Sequence, residues 1–214
     1  MEVQARPSLR GVFHECAFFA SLPTGLALVL TAPTALARAA VIVFASAVAA
    51  MFGVSALYHR VTWRPRPRRW LARVDHVSIY LLIAATYTPF ALLALDGAWR
   101  VAVLLLVWIG ALIAAVIKVA WVDAPKVLAA ATGVVLGWIG IVALPQLLDR
   151  TGVGGTTLLL AGGLLYTTGA VVYAIRRPNP APRVFGYHEL FHALVVAAVA
   201  CHYVAVGVFV VPDG

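Results

Sequence analysis

The chain has 214 residues, 63% of them hydrophobic and only 11% charged, and a formal net charge of +8. Its mean hydropathy is +0.97. Soluble domains carry roughly 25% charged residues, so the composition excludes a soluble enzyme or binding module and assigns the chain to a membrane. A crossing helix needs about 20 mostly apolar residues. Stretches near 15–32, 38–59, 75–95, 99–119, 126–148, 155–175 and 188–211 meet that requirement. The breaks between them are short, which predicts an all-α fold in which residues 1–214 form a single seven-helix transmembrane domain.

The first stretch follows Arg6 and Arg10, and Ala35-Leu36-Ala37 resembles a signal-peptide cleavage site. That site lies late for a signal peptide and another span follows, so the stretch is expected to be retained. Pro23 removes one helix hydrogen bond and predicts a kink. His14 and Glu15 read as a polar pair at the membrane interface. The second stretch ends in Ser55-Ala56-Leu57-Tyr58-His59, where Ser55 and His59 share one helix face.

The segment from Arg60 to Arg73 is basic and carries Trp63 and Trp70. Beside two spans, its arginines set topology and meet anionic headgroups while the tryptophans sit at the interface. Membrane lipids are therefore the expected partners, and nucleic acid is not. The third stretch opens with Asp75-His76, with Arg69 and Arg73 as available partners for Asp75. In the fifth stretch Gly133 and Gly137 make a small-xxx-small step that predicts close helix packing; Gly162, Gly163 and Gly169 in the sixth read the same way. Cys16 and Cys201 fall near opposite ends of their spans, so no disulfide is expected.

The seventh stretch begins His188-Glu189-Leu190-Phe191-His192. This is the H-E-x-x-H spelling of zinc hydrolases: two imidazoles one helical turn apart with a glutamate as possible general base. His202 lies about 21 Å beyond His188 along a helix, too far to join them, and is expected to hydrogen-bond within the bundle. If the N-terminal tail and every second loop share one side, only Arg38, Arg100 and Arg150 of the 16 Lys and Arg fall on the other. The positive-inside rule then makes the N-terminus cytoplasmic and the C-terminus external. That topology brings Ser55, His59, Asp75, His188 and His192 to one depth. Intramembrane ionisable groups are functional candidates by default, and three imidazoles can hold a zinc ion with an open fourth position.

Ser55-x-x-x-His59, then Asp75-His76-x-Ser78-Ile79-Tyr80-Leu81-Leu82-Ile83-Ala84 with Tyr87-Thr88-Pro89, then His188-x-x-x-His192, together resemble the hemolysin III family. These are bacterial relatives of the progestin and adipoQ (adiponectin) receptors, and the resemblance covers essentially the whole chain. It implies a multi-pass protein of the bacterial plasma membrane with zinc held by His59, His188 and His192. It also implies that Asp75 approaches the zinc through water and that Ser55 supports the site. The wider group is similar to alkaline ceramidases and implies hydrolysis of a lipid amide. Ala85 stands where many bacterial relatives have glycine, which implies only a packing adjustment.

Three functional readings follow. The first is a zinc-dependent hydrolase acting on a membrane lipid, with Asp75 as base and Ser55 beside it. The second is a non-catalytic signalling or membrane-homeostasis protein with structural zinc. The third, an intramembrane metalloprotease using Glu189, lacks an acidic third-ligand motif on another span. Despite the family's name, the sequence has no lytic amphipathic helix and no polar pore stripe, which argues against a cytolysin.

Overall fold

Local chemistry sets the helix boundaries. In the computed structural model, which describes residues 7–212, α1 spans Val12–Thr31 and α2 spans Ala35–Arg60. The Thr34 hydroxyl accepts from the Ala37 N–H at 3.1 Å, capping the first turn of α2. α3 (Pro65–Ala94) starts on a proline, whose missing N–H costs nothing in a first turn. The helix therefore begins at Pro65 rather than near 75, and much of the basic segment is helical. α4 (Gly97–Ala120), α5 (Lys126–Gly137), a 3₁₀ segment (Ile139–Ala143), α6 (Leu144–Ile175) and α7 (Tyr187–Val204) follow, and a π-helical turn (Ala205–Val210) extends α7. Pro23 and Pro89 lie inside α1 and α3 without ending them. Arg6 lies outside the described residues.

Among the described residues the only β feature is an isolated bridge between Ala181 and Phe185. Six helical stretches are long and apolar enough to cross a membrane, and one of them, Lys126–Ile175, has 50 residues. A straight helix of that length would measure about 75 Å, more than twice a hydrocarbon core of about 30 Å. It is interrupted by the 3₁₀ segment and again at Gly152, where φ is 62° and ψ −176°, a conformation essentially restricted to glycine.

α2 and α3 supply the centre of the bundle: Phe44, Val48, Met51, Ala84, Ala85 and Ala91 are all buried. α4 turns Leu105, Leu106, Ile109, Leu112, Ile113 and Val116 outward, each at least half exposed. A continuous apolar face of that kind marks a surface covered by lipid or by another protein. The glycines expected to pack closely divide: those of the sixth stretch do so, and Gly133 and Gly137 do not. A Cβ on Gly133 would meet Ile83 only at 3.9 Å, and one on Gly137 would meet nothing within 4 Å, whereas one on Gly162 would lie 2.3 Å from His202 Nε2. Gly162 thus seats a neighbouring helix, while Gly133 and Gly137 face a hollow.

The bundle has two unlike ends. At one, Arg60 pairs with Glu15 at 2.8 Å, Arg69 with Asp123 at 3.7 Å and Arg10 with Glu189. At the other, Asp96 holds Arg100 at 3.3 Å and also Arg150. Cys16 and Cys201 are both free thiols.

Candidate metal centre and cavity

The last turns of α2 carry Ser55 and His59 on one face, and the short link to α3 folds Asp75 back beside them. α7 contributes His188 and His192 from its first two turns. One ligand nitrogen from each of His59, His188 and His192 lies within 4.8 Å of the others. The Nε2 atoms of His59 and His188 are 3.2 Å apart. Zinc–nitrogen bonds of 2.0–2.1 Å in a tetrahedral site put two ligand nitrogens about 3.3 Å apart, so this pair already has the spacing that one ion requires. His192 is 2% exposed and its Nδ1 has no hydrogen-bond partner. Buried polar nitrogens are nearly always satisfied, and such a donor set suits a borderline-soft ion such as zinc.

Asp75 Oδ2 lies 3.8 Å from His59 Nε2, and the Ser55 hydroxyl hydrogen-bonds the Asp75 side chain. Neither Arg69 nor Arg73 is its ion-pair partner. Arg73 Nε donates to the Val119 carbonyl at 3.0 Å and Arg69 pairs with Asp123, because Asp75 faces the bundle interior and both arginines face α4 and the segment after it. His76 is tied to the Ala72 carbonyl at 2.5 Å and to Tyr173 Oη at 3.4 Å, which fixes it against α6.

Glu189 is fully buried and both its oxygens are engaged. Oε2 accepts from the Gly186 N–H at 2.9 Å, and Oε1 pairs with Arg10 Nε. The carboxylate thus caps the start of its own helix and ties α7 to the segment before α1. His14, read as an interfacial residue, is instead 3% exposed and stacks on His192, with ring centroids 3.8 Å apart and planes 8° from parallel. Its apparent partner Glu15 points away to Arg60. A signal for this was present: His14, Ser21, Gly25 and Leu28 form one buried stripe of α1, and small residues on a membrane helix mark its packed face.

The cluster opens on a cavity of about 580 Å³, within the range of small-molecule sites. Lys118 and Lys126 line it near the histidines; Phe90, Leu95 and Leu147 line its other end, and His202 lies between. The wall is mainly hydrocarbon, and the bare backbones of Gly133 and Gly137 widen it. His202 bonds through Nε2 to the Leu159 carbonyl at 3.2 Å, the intrabundle bond expected of it.

A family model described as Haemolysin-III related matches residues 3–203. The chain belongs to this family. Among haemolysin-III-related proteins it is similar to Hemolysin-3 of Bacillus cereus, with 29% identity over 204 residues, 94% of this chain and 90% of that protein. It is also similar to the Hemolysin-3 homolog of Bacillus subtilis (strain 168), with 32% identity over 152 residues, 71% of this chain and 68% of that protein. Family membership and the apolar helices agree on a multi-pass membrane protein, and three of its histidines are placed to bind a metal ion.

Proposed function

We propose that this haemolysin-III-related protein is a membrane-embedded, zinc-dependent hydrolase of a lipid amide, crossing the bacterial plasma membrane seven times with its N-terminus in the cytoplasm. The observation that carries the reading is the junction of the histidine cluster with a long apolar cavity. Structural zinc sites are closed by four protein ligands, whereas catalytic sites keep one position open. Here three imidazoles converge and the space beside them continues into a slot for a hydrocarbon tail.

The residues divide the work. His59, His188 and His192 would hold the ion, which when bound supplies Lewis acidity and activates water near neutral pH. Asp75, oriented by Ser55 and adjacent to His59, takes up the proton of the attacking water. The apolar wall holds the acyl chain, and Lys118 and Lys126 lie at the polar end. Glu189 is less suited to the base, because its oxygens are already committed to Gly186 and Arg10; that disfavours the metalloprotease reading. The seventh crossing follows from dividing Lys126–Ile175 at the breaks before and at Gly152, and the orientation from the basic end of the bundle.

The test is metal content and hydrolysis measured on the same purified protein in nanodiscs. About one zinc per chain is expected, as for a three-imidazole site, with most of it lost in His59→Ala, His188→Ala or His192→Ala. Release of fatty acid from a lipid amide by the zinc-loaded protein, and not by these variants, is the supporting result. Full zinc with no hydrolysis across a panel of lipid amides would favour the structural-zinc reading, and zinc unchanged in all three variants would remove the site.

A further inference from the structure

Beyond the histidine cluster the cavity contains a second place where chemistry is unfinished. His202 is 6% exposed, and its Nε2 faces the Leu159 carbonyl at 3.2 Å. A carbonyl can only accept, so in the neutral ring Nε2 carries the hydrogen and Nδ1 is left as an acceptor. Nδ1 is buried and has no partner. The ring of Tyr166 lies 5.6 Å away, centroid to centroid, and its hydroxyl has no hydrogen-bond partner among the described residues. Both residues line the cavity.

The seat is built rather than incidental. Any Cβ at position 162 would fall 2.3 Å from His202 Nε2, so Gly162 is what lets the imidazole lie against α6. Several of the other polar groups on the wall are already bonded. Thr86 Oγ1 donates to the Leu82 carbonyl at 2.8 Å, Trp138 Nε1 donates to Thr167 Oγ1 at 3.0 Å, and Tyr87 Oη donates to the Gly137 carbonyl and accepts from the Gly140 N–H. An unpartnered acceptor on a ring 5.6 Å from that of a phenol, on a wall that is mainly hydrocarbon, matches a group that both donates and accepts. A ligand hydroxyl has that property; a methylene chain, a ketone or an ammonium does not.

We propose that His202 and Tyr166 form a second subsite that binds a hydroxyl on the tail of a lipid, selecting hydroxylated acyl chains over plain ones. The subsite rests on the lipid-binding reading of the cavity given above, but not on hydrolysis. His202 is ten residues beyond His192, about 15 Å along the helix at 1.5 Å per residue. The hydroxyl belongs in the middle of the chain, well away from the head that reaches the histidine cluster.

The experiment is competitive displacement of a fluorescent acyl probe from the full chain in nanodiscs. The competitors are octadecanoic acid, its analogue hydroxylated near mid-chain and its analogue hydroxylated beside the carboxylate. Selectivity ratios are compared between wild type and variants, so that partition into the bilayer cancels. Wild type is expected to bind the mid-chain hydroxy acid about tenfold more tightly than either other acid, the effect of satisfying one buried acceptor. Tyr166→Phe, which keeps the ring, and His202→Leu should each lose most of that preference while still binding the plain acid and retaining zinc. Equal binding of all three acids by wild type, or a preference unchanged in both variants, overturns the subsite and leaves water as its occupant. Failure of every acid to bind overturns the lipid-site reading and the subsite together. Selective binding without any detectable hydrolysis supports the subsite and counts only against catalysis.

Discussion

At the scale of single residues, the two carboxylates near the cluster are set apart by their partners. Asp75 is held by the Ser55 hydroxyl beside His59, whereas Glu189 spends one oxygen on the Gly186 N–H and the other on Arg10. Asp75→Asn is therefore expected to keep its zinc and lower lipid-amide turnover by roughly 10²–10⁴-fold, the usual general-base contribution. Glu189→Gln should cost much less turnover, because the amide oxygen can still cap α7. Ser55→Ala should fall between them, with a loss of about 10–100-fold, typical of groups that orient ligands from behind. Parallel zinc analysis and initial rates on the purified variants check the ranking, and a larger loss in Glu189→Gln than in Asp75→Asn would reverse the assignment.

At the scale of elements, stability depends on a few ties between helices and on where the helices bend. Arg10 is the charge partner of a fully buried Glu189, so Arg10→Ala leaves that carboxylate uncompensated and should destabilise the protein by about 3 kcal/mol, the low end for breaking a buried pair. Glu189→Gln removes the charge along with the pair and should cost less. The bends behave differently again. Gly152 needs φ 62° with ψ −176°, so Gly152→Ala should cost about 1–3 kcal/mol through backbone strain alone, although no atom lies within 4 Å of the added methyl. Gly137 has the same open space without a positive φ, and Gly137→Ala should stay within about 0.5 kcal/mol. Denaturant titration of the four variants in one detergent gives the comparison.

At the scale of the whole molecule, the two ends of the bundle carry different charge, and the proposed orientation in the bilayer rests on that difference. Thr62, in the link between α2 and α3, and Pro212, beyond the π-helical turn, are both exposed and lie on opposite sides of the proposed topology. In a background lacking Cys16 and Cys201, Thr62→Cys is expected to react with a membrane-impermeant maleimide only from the cytoplasmic side, and Pro212→Cys only from outside. Labelling of both from the same side would mean an even number of crossings and would remove the common depth proposed for His59, Asp75 and His188.

Much of the fold and part of the site were legible from the chain itself. Hydropathy and composition determine that this is an all-helical membrane protein, because unbroken apolar runs of about 20 residues suit crossing helices, whereas a closed barrel, the other arrangement that satisfies its backbone in a bilayer, needs short alternating strands. The four-residue spacings of Ser55 with His59 and of His188 with His192 determine which side chains share a helix face. Only the tertiary structure decides what each face meets. It takes His14 from the interface to a stack on His192, sends Glu189 to Arg10, denies Asp75 its arginines, and turns Gly133 and Gly137 to a hollow instead of a neighbouring helix. Helical periodicity sets the direction of a side chain relative to its own axis, whereas a partner on another helix depends on that helix's rotation and tilt, which packing of the whole bundle determines.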